Sequence, residues 1–428
     1  MDIFDYSADK WRSIQAIPVA RDLLQDPHFL SANHSCLVGE KGVGKTVLAC
    51  QKALQRQSGD LKRILYVSLD DTLFSGDTMF DIAKAASDRG VRLVVFDEVH
   101  RYPNWKAELK SIADRLPVHT ITSGSSILSF NNLGGLSRRM VKYELPGLSF
   151  REYLNLRFRT TIPGAHLKDM LNSLPSFAIA TKEAAESACG MPILALFEEY
   201  LQRGYYAFGL GTQTTHDFLP MLRQATEDTI AFEIVVAQTH SRPDMARKLQ
   251  ALFKAIAQQV PFTVDYQALK ECSHIVDLRT LKHYLACLQQ AGIIRAVDRR
   301  SLKNLRKPEK LYLGNTCLYY AYADLRPNMG SLRENCFVNC LRMAGHDVLV
   351  HPGQADFTVG PWSFESGGPG KNKRQLKHDK QPFVVRDAAE PSHDPSVIPL
   401  WLLGFVLHVA MPPHAIGPTL NARGQFFR

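Results

Sequence analysis

No stretch of this 428-residue chain approaches the roughly 20 consecutive apolar residues that span a bilayer. The opening MDIFDYSADKW also lacks the basic-then-apolar order of a secretory leader. A membrane function is therefore not expected, and a cytoplasmic location is. Cys36, Cys50, Cys189, Cys272, Cys287, Cys317, Cys336 and Cys340 form no C-x-x-C pair, and no histidine cluster has zinc-ligand spacing. These absences argue against a zinc site and favour reduced, mostly buried thiols. Cys336 and Cys340 share a helix face at i, i+4, where core packing outweighs metal binding, and no metal is assigned to them. What is present is ordinary globular composition: 45% hydrophobic and 22% charged residues, with a mean hydropathy of -0.16. The length argues for two to four compact units. A formal charge of +9 permits a polyanionic partner without requiring one.

In the N-terminal third, short β-branched runs alternate with amphipathic stretches, as in a parallel sheet wound with crossover helices. Strands are expected in SCLVGE, RILYVSLD, RLVVFDE, VHTITSGS and MVKYELP. KTVLACQKALQ, TMFDIAKAASDR and WKAELKSIADRL carry helical periodicity. No internal repeat or low-complexity segment interrupts them.

Gly39-Glu40-Lys41-Gly42-Val43-Gly44-Lys45-Thr46 satisfies G-x-x-x-x-G-K-[ST] between a strand and a helix, the context that distinguishes a P-loop from a chance match. The glycines let backbone N–H groups and the helix N-terminus converge on phosphate oxygens. Lys45 is expected on the β- and γ-phosphates of ATP, and Thr46 on Mg²⁺. Downstream, the apolar run LVVF ends in Asp97-Glu98, so a buried strand delivers two carboxylates to the mouth of the sheet. Asp97 is expected to hold the Mg²⁺ shell, and Glu98 to polarise the attacking water as general base. Ser123, in Thr122-Ser123-Gly124-Ser125, offers a hydroxyl to the γ-phosphate or that water, with a plain turn as the competing reading. Of Arg138 and Arg139, the second is preferred as a phosphate-directed arginine, in cis or in trans, against a solvated basic pair.

GEKGVGKT, VVFDEVHRYPNW, TSGSS and LSRR with LPGLSFREYL, in that order, resemble the AAA-type ATPases of bacteria and archaea. The resemblance implies a P-loop core followed by a helical lid, which LSFREYL through GMPILALFEEYLQRGYY fits. It carries Lys45, Thr46, Asp97, Glu98, Ser123 and Arg139 onto family roles. DEVH is similar to the DExH helicase box too, but nothing after Tyr200 repeats the first core as a second motor domain would.

Further on, MARKLQALFKAIAQQV, VDYQALKECSHI and DLRTLKHYLACLQQAG read as short helices. In the last, Leu278, Leu281, Leu285 and Leu288 form one apolar stripe behind Asp277 as N-cap. With the basic segment after them they resemble a winged helix. Arg279, Lys282 and His283, beside Arg295, Arg299, Arg300, Lys303, Arg306, Lys307 and Lys310, suit either DNA phosphates or a solvated protein-contact module. Glu334, Asp356 and Glu365 resemble the carboxylates of the PD-(D/E)XK nuclease fold. Gly367 stands where that pattern needs lysine, and Lys371, Lys373, Arg374, Lys377 and Lys380 lie farther on. A nuclease-like fold with weak or absent cutting activity is expected.

The fold class is thus α/β: an AAA-type P-loop NTPase parallel sheet over residues 1–150 and a helical lid over 151–235. A winged-helix-like domain over 236–325 and a restriction-endonuclease-like domain over 326–428 follow. The expected function is a Mg²⁺-dependent ATPase acting as a motor or switch. An ATP-regulated DNA nuclease and a non-hydrolysing ATP-binding scaffold are the alternatives. DNA, a protein partner or further copies of the chain are the candidate partners.

Overall fold

The computed structural model describes residues 3–17, 21–71, 76–125, 134–236, 244–259, 262–299, 308–322, 328–368, 370 and 381–409. It divides into two compact units, Met1–Pro146 and Gly147–Arg428. Among the described residues no helix is long and apolar enough to cross a membrane. Seven of the cysteines are buried, Cys272 is exposed, and no disulfide joins them.

The first unit is built on five parallel strands: β1 (His34–Gly39), β2 (Ile64–Ser68), β3 (Leu93–Asp97), β4 (His119–Ser125) and β5 (Val141–Glu144). Their order is β2-β3-β4-β1-β5. β1 to β4 are buried almost throughout, which is why they read as near-continuous apolar runs rather than alternating ones. The helices are α1 (Ile3–Gln15), α2 (Pro27–Ser31), α3 (Lys45–Arg56), α4 (Met79–Asp88) and α5 (Trp105–Arg115). Cys36, Val38, Leu65, Val67, Val94 and Phe96 pack with α4 and α5 in one apolar cluster. α1 lies on β2 and α3, and α3 lies on β3 and β4.

This order puts β4 between the P-loop strand and the acid-bearing strand. Leu37 pairs with Ser123, and Phe96 with Thr122, so Ser123 comes level with Asp97 on the same face.

The second unit begins with α6 (Phe150–Phe158), α7 (Leu167–Asn172), α8 (Leu174–Cys189), α9 (Ile193–Glu199), α10 (Thr215–Asp228) and α11 (Ile234–Val236). Ser149 and Glu152 form a capping box that starts α6. Next come α12 (Met245–Gln259), β6 (Phe262–Thr263), α13 (Tyr266–Ser273), α14 (Leu278–Gln290), β7 (Ile294–Val297) and β8 (Lys310–Leu313). Their three strands are antiparallel in the order β6-β8-β7. Asp277 caps α14 by accepting from the Thr280 N–H at 2.8 Å. The apolar stripe of α14 starts at Leu281 rather than Leu278, because Leu278 sits in the first turn and is exposed.

α15 (Thr316–Tyr322) and α16 (Met329–Met343) lead to β9 (Val348–Val350), β10 (Phe357–Val359), β11 (Trp362–Gly367), β12 (Pro382–Arg386) and β13 (Val397–Pro399). These strands form a mixed sheet, antiparallel from β9 to β11 and parallel from β11 to β13.

Candidate functional site

β1 delivers the chain to Gly39, where a Cβ would stand 2.4 Å from the Leu145 carbonyl oxygen beside β5. The loop then turns through Gly42 (φ 85°) and Gly44 (φ 97°), left-handed positions that glycine adopts at little cost, and α3 opens at Lys45. Buried Arg21 braces the loop from behind, donating to the Val43 carbonyl at 2.9 Å and the Pro146 carbonyl at 3.0 Å. Lys45 Nζ donates to the carbonyls of Gly39 (3.0 Å) and Glu40 (2.9 Å). Its ammonium thereby lies folded over the loop's own backbone. Val43 is buried, Lys41 is exposed and Glu40 is half-buried.

Asp97, at the end of β3, is buried and accepts three hydroxyl donors. Thr46 Oγ1 and Tyr66 OH each donate to Oδ2 at 2.8 Å, and Ser123 Oγ donates to Oδ1. Burial, followed by the Asp97 charge, pushes the Tyr66 phenol well above its ordinary range, so it stays a donor. The next residue, Glu98, has φ 54° and ψ 38°, a left-handed conformation uncommon for a side chain of its size. That bend ends the strand and separates the two carboxylates. The Glu98 N–H lies 3.4 Å from Ser123 Oγ, and its Oε2 lies 3.3 Å from His100 Nδ1. The Thr46 hydroxyl and the Asp97 carboxylate offer only oxygen, the donor set Mg²⁺ prefers. The residues present fit that ion.

Arg139 lies away from this group. Its guanidinium grips Asp114 on α5, Nε to Oδ1 at 2.5 Å and Nη2 to Oδ2 at 2.9 Å, while Nη1 donates to the Gly135 carbonyl at 2.9 Å. Arg138 is exposed. Sequence reasoning missed Arg21, Tyr66 and His100. Only His100 left a signal, as the fourth residue of DEVH.

In the second unit, Glu334 on α16 accepts from Lys310 Nζ at 3.0 Å and from Tyr312 OH at 2.7 Å. Asp356 accepts from the Ser366 N–H at 2.8 Å, and Glu365 is buried on β11. Burial, reinforced by the charges of Glu365 and Glu334, raises Asp356 to about 6. Among the described residues, the lysine that reaches these carboxylates is Lys310 on β8. Lys371, Lys373, Arg374, Lys377 and Lys380 lie outside the described residues. Among the described residues, no three His, Cys, Asp or Glu side chains are grouped to hold a metal ion.

Among the described residues, two cations of the basic set around α14 are held within the fold. Arg279, Lys282 and His283 are exposed, but Arg295 donates to the Gly314 carbonyl at 2.9 Å and Lys310 is committed to Glu334. Arg299 lies 3.8 Å from Glu309. Arg300, Lys303, Arg306 and Lys307 fall outside the described residues.

Residues 32–154 match a family model described as an AAA domain, and residues 194–328 match a domain of unknown function, DUF8612. The uncharacterized protein MJ1637 of Methanocaldococcus jannaschii is 30% identical over 145 residues, 32% of this chain and 31% of that protein. The chain thus spans about a third of the length of this curated relative. Among solved structures, the Thermotoga maritima RuvB Holliday junction branch migration motor aligns with 67% of this chain and 88% of its own, at 17% identity and a TM-score of 0.27. AMPPCP-bound DnaA from Aquifex aeolicus aligns with 66% and 88%, at 15% identity and a TM-score of 0.22. Likeness at this level bears on neither activity nor partner.

Proposed function

We propose that the AAA domain binds ATP at Gly39–Thr46 and hydrolyses it, and that the cycle drives a switch in the second unit. The observation that carries this reading is the convergence on Asp97. A P-loop threonine and a β4 serine both donate to one buried strand-end carboxylate, with Glu98 turned out beside it. On binding, Lys45 exchanges the Gly39 and Glu40 carbonyls for phosphate oxygens, and the loop N–H groups close on the phosphates. Thr46 and Asp97 would hold Mg²⁺, which would supply positive charge to offset that of the phosphates. Glu98 takes the proton of the attacking water, and Ser123 keeps Asp97 oriented next to it. For Arg139 to reach a phosphate, in cis or in trans, it must first release Asp114. Phosphate release that requires Mg²⁺ and stops in EDTA tests the reading; no release under either condition defeats it.

In the second unit, the α12-β6-α13-α14-β7-β8 order supports a winged-helix-like module following a helical lid over 151–235. With Arg295 and Lys310 committed inside the fold, we assign this module to a protein contact rather than to DNA. ATP turnover is accordingly expected to be unchanged by duplex DNA across a salt series. Stimulation that fades as salt rises would reverse the assignment. The region after it supports a nuclease-like fold without cutting activity, since Glu334 is satisfied by Lys310 and Tyr312. DNA incubated with Mg²⁺ or Mn²⁺ is expected to stay intact; robust cutting that disappears in Glu365→Ala would show a working nuclease.

A further inference from the structure

We infer that Tyr66 is a positioning residue for Asp97, and that the N-terminal helix α1 acts on the nucleotide site through it. This rests on the ATPase reading above. Tyr66 pairs with Val95, and Ser68 with Asp97, so the side chains of Tyr66 and Asp97 emerge diagonally on one face of neighbouring strands. The phenol reaches Oδ2 at 2.8 Å, the same oxygen to which Thr46 donates. With Ser123 on the other oxygen, the carboxylate cannot rotate without breaking a hydrogen bond. Thr46 and Ser123 belong to the nucleotide loop and the strand beside it; Tyr66 enters from a third element.

The position of Tyr66 is set in turn by one face of α1. Its backbone N–H donates to the buried Ser7 hydroxyl at 2.9 Å. Trp11 meets its ring edge-on at 6.2 Å, Tyr6 stacks on it at 6.1 Å, and Lys10 Nζ lies 5.0 Å from its centroid. The contacts run in one continuous chain, from α1 through Tyr66 to the carboxylate that would bear the metal. A shift of α1 turns Asp97 by moving its third donor, so whatever engages this helix adjusts how well the site takes Mg²⁺.

Tyr66→Phe keeps the ring against α1 and deletes only the hydroxyl. Calorimetric binding of a non-hydrolysable ATP analogue across a Mg²⁺ titration reads the effect without turnover. Affinity in EDTA is expected to be unchanged, while half-saturation by Mg²⁺ rises about tenfold or more, as when partners of metal ligands are removed. Ser7→Ala is expected to shift it several-fold in the same direction. If wild type responds to Mg²⁺ and Tyr66→Phe has the same half-saturation, or loses affinity equally in EDTA and Mg²⁺, the Tyr66 assignment falls while the ATPase reading stands. If Tyr66→Phe shifts and Ser7→Ala does not, the action of α1 is overturned. If wild type binds the analogue with no Mg²⁺ dependence, the ATPase reading fails and this inference with it.

Discussion

Exchange of Glu98 for glutamine is expected to leave ATP binding intact while cutting phosphate release by roughly 10²- to 10⁴-fold, the span contributed by a positioned general base. Glutamine preserves the side chain's length and the left-handed backbone at φ 54°, so the bend that ends β3 carries over. What it removes is the ability to take a proton beside His100, 3.3 Å away. Equilibrium binding of ATP and steady-state phosphate release, measured on the same preparation, separate the two effects. Turnover at the wild-type rate would remove Glu98 as the base. Wild-type protein that binds ATP but releases no phosphate would leave the scaffold alternative in possession.

Lys45→Ala acts earlier, on binding itself. A buried, hydrogen-bonded charge partner is worth about 2–5 kcal/mol when truncated. At about 1.4 kcal/mol per tenfold, the affinity for ATP should fall by at least about 30-fold. The same change strips a donor from the Gly39 and Glu40 carbonyls, so a modest drop in melting temperature accompanies it. A thermal melt recorded beside the calorimetry distinguishes lost binding from lost fold. A folded variant with wild-type affinity would show that this loop does not cradle phosphates.

Much of the first unit was legible because its strands are buried on both faces and bounded by turns. SCLVGE, RLVVFDE and VHTITSGS each announce a strand by local composition alone, and each became one. The loop motif and the acidic pair were readable for the same reason: their chemistry is contiguous in the chain. The rest of the site was not. Tyr66 looks like one more apolar residue in RILYVSLD, since its hydroxyl finds Asp97 31 positions away through a pairing that no local pattern encodes. Arg21 meets the Val43 carbonyl across 22 positions from a segment with no motif. The present partner of Arg139 was equally hidden: Asp114 on α5, invisible as a partner in one dimension, holds its guanidinium. In the second unit, β6 is two residues long, too short for any periodicity to mark it. Lys310, which pairs with Glu334, arrives from β8, 24 positions earlier in the chain.

The 2.4 Å gap between a would-be Cβ at position 39 and the Leu145 oxygen also bears on how divergent descendants of this chain should be judged. That glycine is demanded by the neighbouring backbone before any phosphate arrives. A lineage that abandoned nucleotide use would keep it for packing alone, and its survival would report nothing about activity. Glu98 has the opposite standing. Its left-handed backbone suits glycine or asparagine better than glutamate, so once selection for turnover lapsed the position would drift toward them. On the role proposed for Glu98, the strained acid rather than the first glycine of the loop distinguishes a working copy from a relic.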